Sequence, residues 1–122
     1  MATKEKKLNC LTRIRVLSDD QIALGPGKVA LLEEIDRSGS ISKAARKLGL
    51  SYRRAWTLVN TMNKSFKSCL VTCSAGGRKG GGASLTPLGL KMAKTYRAME
   101  TKAEKALQGN WKIIKRSLKQ SD

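Results

Sequence analysis

The protein has 122 residues, with 25 Lys and Arg against 9 Asp and Glu, a formal net charge of +16 and no histidine. Without histidine there is no Ser-His-Asp triad, no Cys-His nucleophile pair and no histidine metal site, and acids this sparse argue against a paired-carboxylate hydrolase. The length suits one ordinary domain, and a hydrophobic content of 40% with only 4% aromatics allows a modest core.

Along the chain, residues 8–17 alternate, with Leu8, Cys10, Ile14 and Val16 on one parity and Asn9, Arg13 and Arg15 on the other, which predicts a strand. Asp19-Asp20 predicts a turn and Ile22-Ala23-Leu24 a short returning strand, before Gly25-Pro26-Gly27 breaks the pattern. From Lys28 the period becomes helical, with Ala30, Leu31 and Ile35 on one face beside Val29 and Leu32, ending near Ser38-Gly39. Ser40 is placed to cap a second helix whose apolar face is Ile41, Ala44, Ala45 and Leu48. Gly49 stops that helix, Leu50 plugs the core, and Ser51 caps a third helix running to about Ser65. Two short capped helices joined by a glycine-containing turn make a helix-turn-helix.

The faces of the third helix separate cleanly at about 100° per residue. Ala55, Leu58, Val59 and Met62 face the core, whereas Arg53, Thr57, Asn60 and Lys64 lie opposite, flanked by Arg54 and Thr61. Tyr52, Trp56 and Asn63 sit at the border, and the two aromatics are read as packing residues. A recognition helix brings its N-terminal residues nearest the bases. Arg53 and Arg54 therefore suit guanine edges or phosphates, and Asn60 suits adenine. Solvated arginines touching only phosphates are the plainer alternative.

Residues 68–74, with Cys69, Leu70, Val71 and Cys73, predict a strand, and Ala83-Ser84-Leu85-Thr86 predict another. Between them lies Gly76-Gly77-Arg78-Lys79-Gly80-Gly81-Gly82, so the whole reads as a hairpin or wing whose glycines let the backbone approach phosphates. No Ser or Thr follows Lys79 and no helix starts there, so the run is not a nucleotide-binding P-loop. Thr86-Pro87 then opens the longest helix, to about Lys119, with a loosening expected at Gly109. Met92, Tyr96, Met99, Ala103, Ala106, Asn110, Ile113 and Ser117 follow a heptad seam, with Leu107, Trp111, Ile114 and Leu118 alongside. Such a stripe exceeds what one small core buries, so Met92, Tyr96, Met99, Ala103, Ala106, Leu107, Ile113 and Ile114 are expected at a dimer interface, with packing inside the chain as the alternative for its early part.

From Arg37 to Met99 there is not one Asp or Glu, while thirteen Lys and Arg fall in the same stretch. Such a stretch repels itself unless a polyanion neutralises it, and nucleic acid is the usual one. The longest apolar runs fall far short of the ~20 residues that span a bilayer, and Met1 to Lys7 has no signal-peptide core. A cytoplasmic location without membrane contact is expected. Cys10, Cys69 and Cys73 are an odd set that cannot complete a zinc site; they are read as buried or half-buried strand residues. No cofactor, metal or catalytic site is expected.

The runs Ser38-Gly39-Ser40-Ile41-Ser42, Gly49-Leu50-Ser51-Tyr52-Arg53-Arg54-Ala55-Trp56, Met62-Asn63, Leu70-Val71 and the glycine-rich segment to Ala83, then Leu85-Thr86 and Gly89, resemble the N-terminal domain of the ModE family. These are bacterial molybdate-responsive transcription regulators whose winged-helix domain is similar to that of LysR-type regulators. The resemblance covers about residues 27–107. It implies a winged-helix domain dimerised through its helices, with DNA contacts on the helix beginning at Ser51 and on the wing. Family members carry C-terminal molybdate-binding domains, for which there is no room before Asp122, so molybdate sensing is not carried over.

The expected fold class is mainly α with a small β component: a winged helix-turn-helix with a long C-terminal dimerisation helix. One domain is expected over 1–122, with N-terminal strands in 1–26, helix-turn-helix and wing in 27–86, and the long helix in 87–120. The expected function is sequence-specific binding of double-stranded DNA by a homodimeric transcription regulator. Ser40, Ser42, Ser51, Tyr52, Arg53, Arg54, Thr57, Asn60, Lys64, Arg78, Lys79 and Gly80 are the candidate DNA contacts. A non-specific architectural DNA-binding protein and a protein-interaction adaptor are the alternatives.

Overall fold

A computed structural model describes residues 6–74 and 82–120. They fall into two compact units: Arg13–Arg97, and the N-terminal segment to Thr12 with the chain from Ala98 onward. The first unit begins with an antiparallel pair, β1 (Val16–Ser18) and β2 (Gln21–Leu24), turned at Asp19, whose φ of 58° lies in the left-handed region that Asp and Asn enter more readily than other side-chain-bearing residues. The helices α1 (Pro26–Ser38), α2 (Ile41–Lys47) and α3 (Tyr52–Ser65) follow. A second antiparallel pair, β3 (Val71–Cys73) and β4 (Ala83–Leu85), pairs Val71 with Leu85 and Cys73 with Ala83. The chain then enters α4 (Pro87–Ser117).

Local chemistry sets most of these boundaries. Ser40 Oγ accepts from Lys43 N at 3.1 Å and Ser51 Oγ from Arg54 N at 3.0 Å, so α2 and α3 start where hydroxyls can hold their free amides. Gly49 ends α2 at φ 69°, a conformation that costs a side-chain-bearing residue about 1 kcal/mol. Thr86 Oγ1 accepts from Gly89 N at 3.0 Å, and Pro87 opens α4 without needing a donor. The core of this unit is Val29, Leu31, Leu32 and Ile35 of α1, Ile41, Ala44 and Ala45 of α2, Ala55, Val59 and Met62 of α3, with Leu70, Val71, Ala83, Ala93 and Tyr96 closing it. The winged helix-turn-helix expected from the sequence is thus the architecture of residues 13–97.

Several expectations are corrected. Residues 8–17 do not form a long strand; only Val16–Ser18 pair, because their partner β2 has four residues before Pro26 starts a helix. The alternation survives as half-buried Ile14 and Val16 between exposed Arg13 and Arg15. The outer strands are likewise shorter than 68–74 and 83–86, since Cys69 and Leu70 give their carbonyls to Thr86 rather than to a ladder. All three cysteines are exposed rather than buried. Cys10 and Cys69 lie outside the ladders, and Cys73 ends its strand beyond the core. Tyr52 is 55% exposed, touching Trp56 edge-on with centroids 6.1 Å apart, so only the tryptophan packs on the core. Tyr96, expected on the dimer seam, is 1% exposed within the first unit and donates its hydroxyl to the Ile14 carbonyl at 2.7 Å. Met92 also packs partly onto this core. Helix α4 runs unbroken through Gly109.

In the second unit, Ala103 and Trp111 are half-buried, while Met99, Ala106, Leu107, Ile113, Ile114 and Leu118 are exposed, Ile113 and Ile114 at 64% and 58%. Lys6 N donates to the Gln120 carbonyl at 3.2 Å. Among the described residues no helix is long and apolar enough to cross a membrane.

Two close features of the first unit carry tests. A Cβ on Gly89 would sit 2.2 Å from the Leu70 carbonyl oxygen, whereas one on Gly109 would meet nothing within 4 Å. Gly89→Ala is expected to lower the urea midpoint by the equivalent of about 1–3 kcal/mol, since backbone must move to admit it. Gly109→Ala is expected to raise stability by about 0.5–1 kcal/mol, as alanine replaces glycine inside a helix. Lys28, 9% exposed, donates its ammonium to the Ile22 carbonyl. Burial, and then repulsion from Arg54, hold its pKa below the ordinary 10.5. The folded state therefore binds fewer protons than the unfolded chain just below 10.5; the penalty is complete below the folded pKa and vanishes as pH rises to 10.5. The unfolding free energy of the parent minus that of Lys28→Met should increase with pH through this alkaline window. A flat or falling difference in urea titrations contradicts a desolvated ammonium.

Candidate nucleic-acid interface

The caps at Ser40 and Ser51 decide which residues begin α2 and α3, and thereby which side chains reach solvent. Ala55, Val59 and Met62 go into the core. Arg53, Arg54, Thr57, Asn60 and Lys64 are all exposed on the rest of α3, as the sequence predicts. Thr57 Oγ1 donates to the Arg53 carbonyl at 3.0 Å and Thr61 Oγ1 to the Thr57 carbonyl at 2.9 Å, which fixes both hydroxyls while leaving their lone pairs outward. Ser40 and Ser51, having accepted from backbone amides, keep their own O–H groups to donate.

Electrostatics single out the same helices. None of α1, α2, α3 and α4 has an acidic residue in its first turn, and α3 has Arg53 and Arg54 there instead. Cations beside the positive end of a helix dipole cost roughly 0.3–1 kcal/mol each, the converse of the usual stabilisation by anions. On α1, Glu34 pairs with Arg37, and Glu33 pairs with Arg97, whose Nε and Nη2 donate at 3.0 and 2.7 Å. Lys43, Arg46, Lys47, Arg53, Arg54 and Lys64 of α2 and α3 have no carboxylate partner there. Arg97, in the acid-free stretch, is thus committed to bridging α4 to α1.

Two grooves flank α3. One, of about 210 Å³, is lined by Ser40, Ile41, Ser42, Tyr52 and Trp56 with Cys73, Ser74, Gly82 and Ala83, so it joins the starts of α2 and α3 to the root of the hairpin. It brings together Ser40, Ser42 and Tyr52 from the predicted set, and adds Trp56, Cys73, Ser74 and Gly82. The other, of about 450 Å³, includes Arg13, Arg15, Lys28 and Arg54. Arg54 thus faces this cavity, and its charge acts on Lys28. Arg13, Arg15 and Lys28 were not among the sequence candidates, because they stand in separate segments outside α2 and α3 and nothing in the sequence groups them. Lys64 lies apart from both, near Ser18, Gln21 and Thr61. Arg78, Lys79 and Gly80 lie outside the described residues.

The hairpin is set against α3 by Asn63, a border residue whose role the sequence did not disclose. Its Oδ1 accepts from Leu70 N at 2.8 Å and Val71 N at 3.1 Å, and its Nδ2 donates to the Val71 carbonyl at 3.1 Å. Strand β4 is tied by Ala83 N to the Gly39 carbonyl at 2.9 Å, in the turn that precedes Ser40.

Comparison with known proteins agrees with this arrangement. Curated relatives include a molybdenum-pterin-binding protein, MopB, of Rhodobacter capsulatus, 47% identical over 92 residues, or 75% of this chain and 34% of the relative. The molybdenum transport protein ModE of Azotobacter vinelandii is 42% identical over 97 residues, covering 80% and 36% respectively. The DNA-binding transcriptional dual regulator ModE of Escherichia coli K12 is 40% identical over 81 residues, covering 66% and 31%. The chain spans about a third of the length of these relatives, and the shared part is ModE-like. The family model of bacterial regulatory helix-turn-helix proteins of the lysR family matches residues 27–90, from the start of α1 through the hairpin into α4, and the chain belongs to that family.

Proposed function

We propose that the protein is a dimeric, sequence-specific regulator of transcription that binds double-stranded DNA, with α3 in the major groove and the segment from Gly76 to Ala83 on the backbone or in the minor groove. The observation that carries this reading is the exposed face of α3: Arg53, Thr57, Asn60 and Lys64, with two arginines in a first turn that holds no acid. An unfavourable cluster of cations at a helix N-terminus is relieved when phosphates approach it. Arg53, Thr57 and Asn60 supply the donor and acceptor types that read guanine and adenine edges, with Ser51 and Tyr52 at the helix entrance. Ser40 and Ser42 suit phosphates from the start of α2, and Arg78, Lys79 and Gly80 suit them from the wing. The relative in Escherichia coli, a DNA-binding transcriptional dual regulator, supports the same reading.

The dimer is assigned to the exposed apolar residues of α4. Met99, half-buried Ala103, Ala106 and Ile113 continue a heptad register with Leu107 and Ile114 alongside it, and the exposed Ile113 and Ile114 favour a second copy of the same seam. Ile113→Glu with Ile114→Glu is expected to shift the sedimenting species from dimer to monomer with helical circular dichroism retained. A parent that sediments as a monomer at micromolar concentration refutes the assignment.

Specificity is tested by selecting genomic fragments with the purified protein at ~150 mM salt, where purely electrostatic binding is suppressed. A few enriched fragments sharing an inverted repeat, with half-sites one helical turn or a multiple apart, are expected. Equal retention of all fragments favours the architectural alternative. With ~8 phosphates neutralised per dimer, log K should fall against log salt with a slope near −7. Arg53→Ala should relax the choice of base at one position, by roughly 1–3 kcal/mol, while Arg78→Gln with Lys79→Gln should weaken all sequences alike. A uniform loss from Arg53→Ala removes that residue from base reading.

A further inference from the structure

The cavity of about 450 Å³ beside the N-terminus of α1 reaches from the segment before β1 to the turn between α2 and α3. Its polar lining is Arg13 and Arg15 from the segment before β1, Lys28 from α1 and Arg54 from α3, with no acid among the described residues that line it. Its apolar wall includes Ile22, Leu48, Leu50 and Leu58. Four cations from three separate stretches of chain converge here without a carboxylate. Lys28 is almost buried, with one donor spent on the Ile22 carbonyl and two left over. Helix α1 also starts here with no side-chain cap at Gly25; Pro26 has no N–H, and the amides of Gly27 and Lys28 follow it at the mouth of the cavity.

Resting on the DNA-binding reading above, we propose that this cavity seats one phosphate of the DNA backbone together with its deoxyribose, outside the tract read by α3. Arg54 joins the two surfaces, since it stands on α3 and lines the cavity. The arginines and Lys28 take the phosphate oxygens, and the leucine wall takes the carbon face of the sugar, which a bare inorganic anion would leave unused. The repulsion between Arg54 and Lys28, and the burial that lowers the Lys28 pKa, are both relieved by a phosphate set between them. Specificity of sequence is not added, because a phosphate carries none. The site instead fixes how far α3 is rotated in the groove.

The test measures fluorescence anisotropy with a 30-base-pair duplex of mixed sequence and with a selected genomic fragment, between ~50 and ~200 mM salt. Arg13→Gln with Arg15→Gln removes two exposed cations of the cavity, and Lys102→Gln with Lys105→Gln removes two exposed cations of α4 as a charge-matched control. The cavity pair is expected to lower affinity equally for both duplexes and to reduce the magnitude of the salt slope by about 0.9 or more beyond the control. Gly27→Glu adds a carboxylate where a side chain meets nothing within 4 Å, and is expected to weaken both duplexes more than the control pair does. A salt slope that the cavity pair leaves equal to that of the control overturns the proposal, even if Arg53→Ala still relaxes specificity. A parent that binds neither duplex overturns both this proposal and the reading it rests on. If inorganic phosphate at constant ionic strength raises the melting temperature of the parent and not of the cavity pair, while the slopes match the control, the cavity is a free-anion site and the backbone proposal fails.

Discussion

Leu70 is the point at which the hairpin, α3 and α4 are joined. Its side chain is fully buried, its amide donates to Asn63 Oδ1, and its carbonyl accepts both the amide of Thr86 at 2.9 Å and the Thr86 hydroxyl. The same Thr86 oxygen accepts from Gly89 N and so starts α4. Gly89 lets the first turn of α4 lie directly on the Leu70 carbonyl, at a distance no other residue would allow. A buried backbone group left unpaired costs about as much as a lost hydrogen bond, so each of these partners constrains the others. The wing therefore stands where it does because of two side chains, Asn63 and Thr86, and one missing side chain, at Gly89.

Charge is distributed by the same economy of position. Two acids of α1 are paired, Glu34 with Arg37 along the helix and Glu33 with Arg97 across to α4. Exposed pairs of this kind contribute about 0–1 kcal/mol, so their effect is mainly to keep those two cations occupied. The cations of α2 and α3 are left uncompensated, and so is the one charged side chain buried among the described residues, Lys28. A surface arranged in this way is less stable alone than with an anionic partner, which is the thermodynamic form that affinity for a polyanion takes.

What could be read in the sequence was what depends on near neighbours. Ser40, Ser51 and Thr86 are caps because a hydroxyl reaches an amide two or three residues on, and Gly49 is a stop because of its own φ. The division of α3 into Ala55, Val59 and Met62 against Arg53, Thr57, Asn60 and Lys64 follows from helical period alone. What could not be read depends on partners distant in the chain. The alternation of residues 8–17 predicts a strand only if another strand is long enough to meet it, and β2 is not. Tyr96 fits a heptad seam, but its hydroxyl finds the Ile14 carbonyl 82 residues away and the ring goes inward. Asn63 sits on a helix border with nothing in its surroundings to announce three bonds to another element. Arg13, Arg15, Lys28 and Arg54 are ordinary surface cations in sequence, and become a set only when three segments meet.

The root of the hairpin has a consequence for how such a protein can diversify. Ser74 N donates to the Gly82 carbonyl at 2.9 Å, and Gly82 N donates back to Ser74 Oγ at 3.0 Å, so the two ends of the intervening segment are already clasped together. With the two ends clasped, closing a flexible chain between them costs only about 0.6 kcal/mol more for each doubling of its length. Insertions there leave the helices and their caps untouched. The reach of the loop is thus free to change from one descendant to another while the scaffold that aims it is inherited intact.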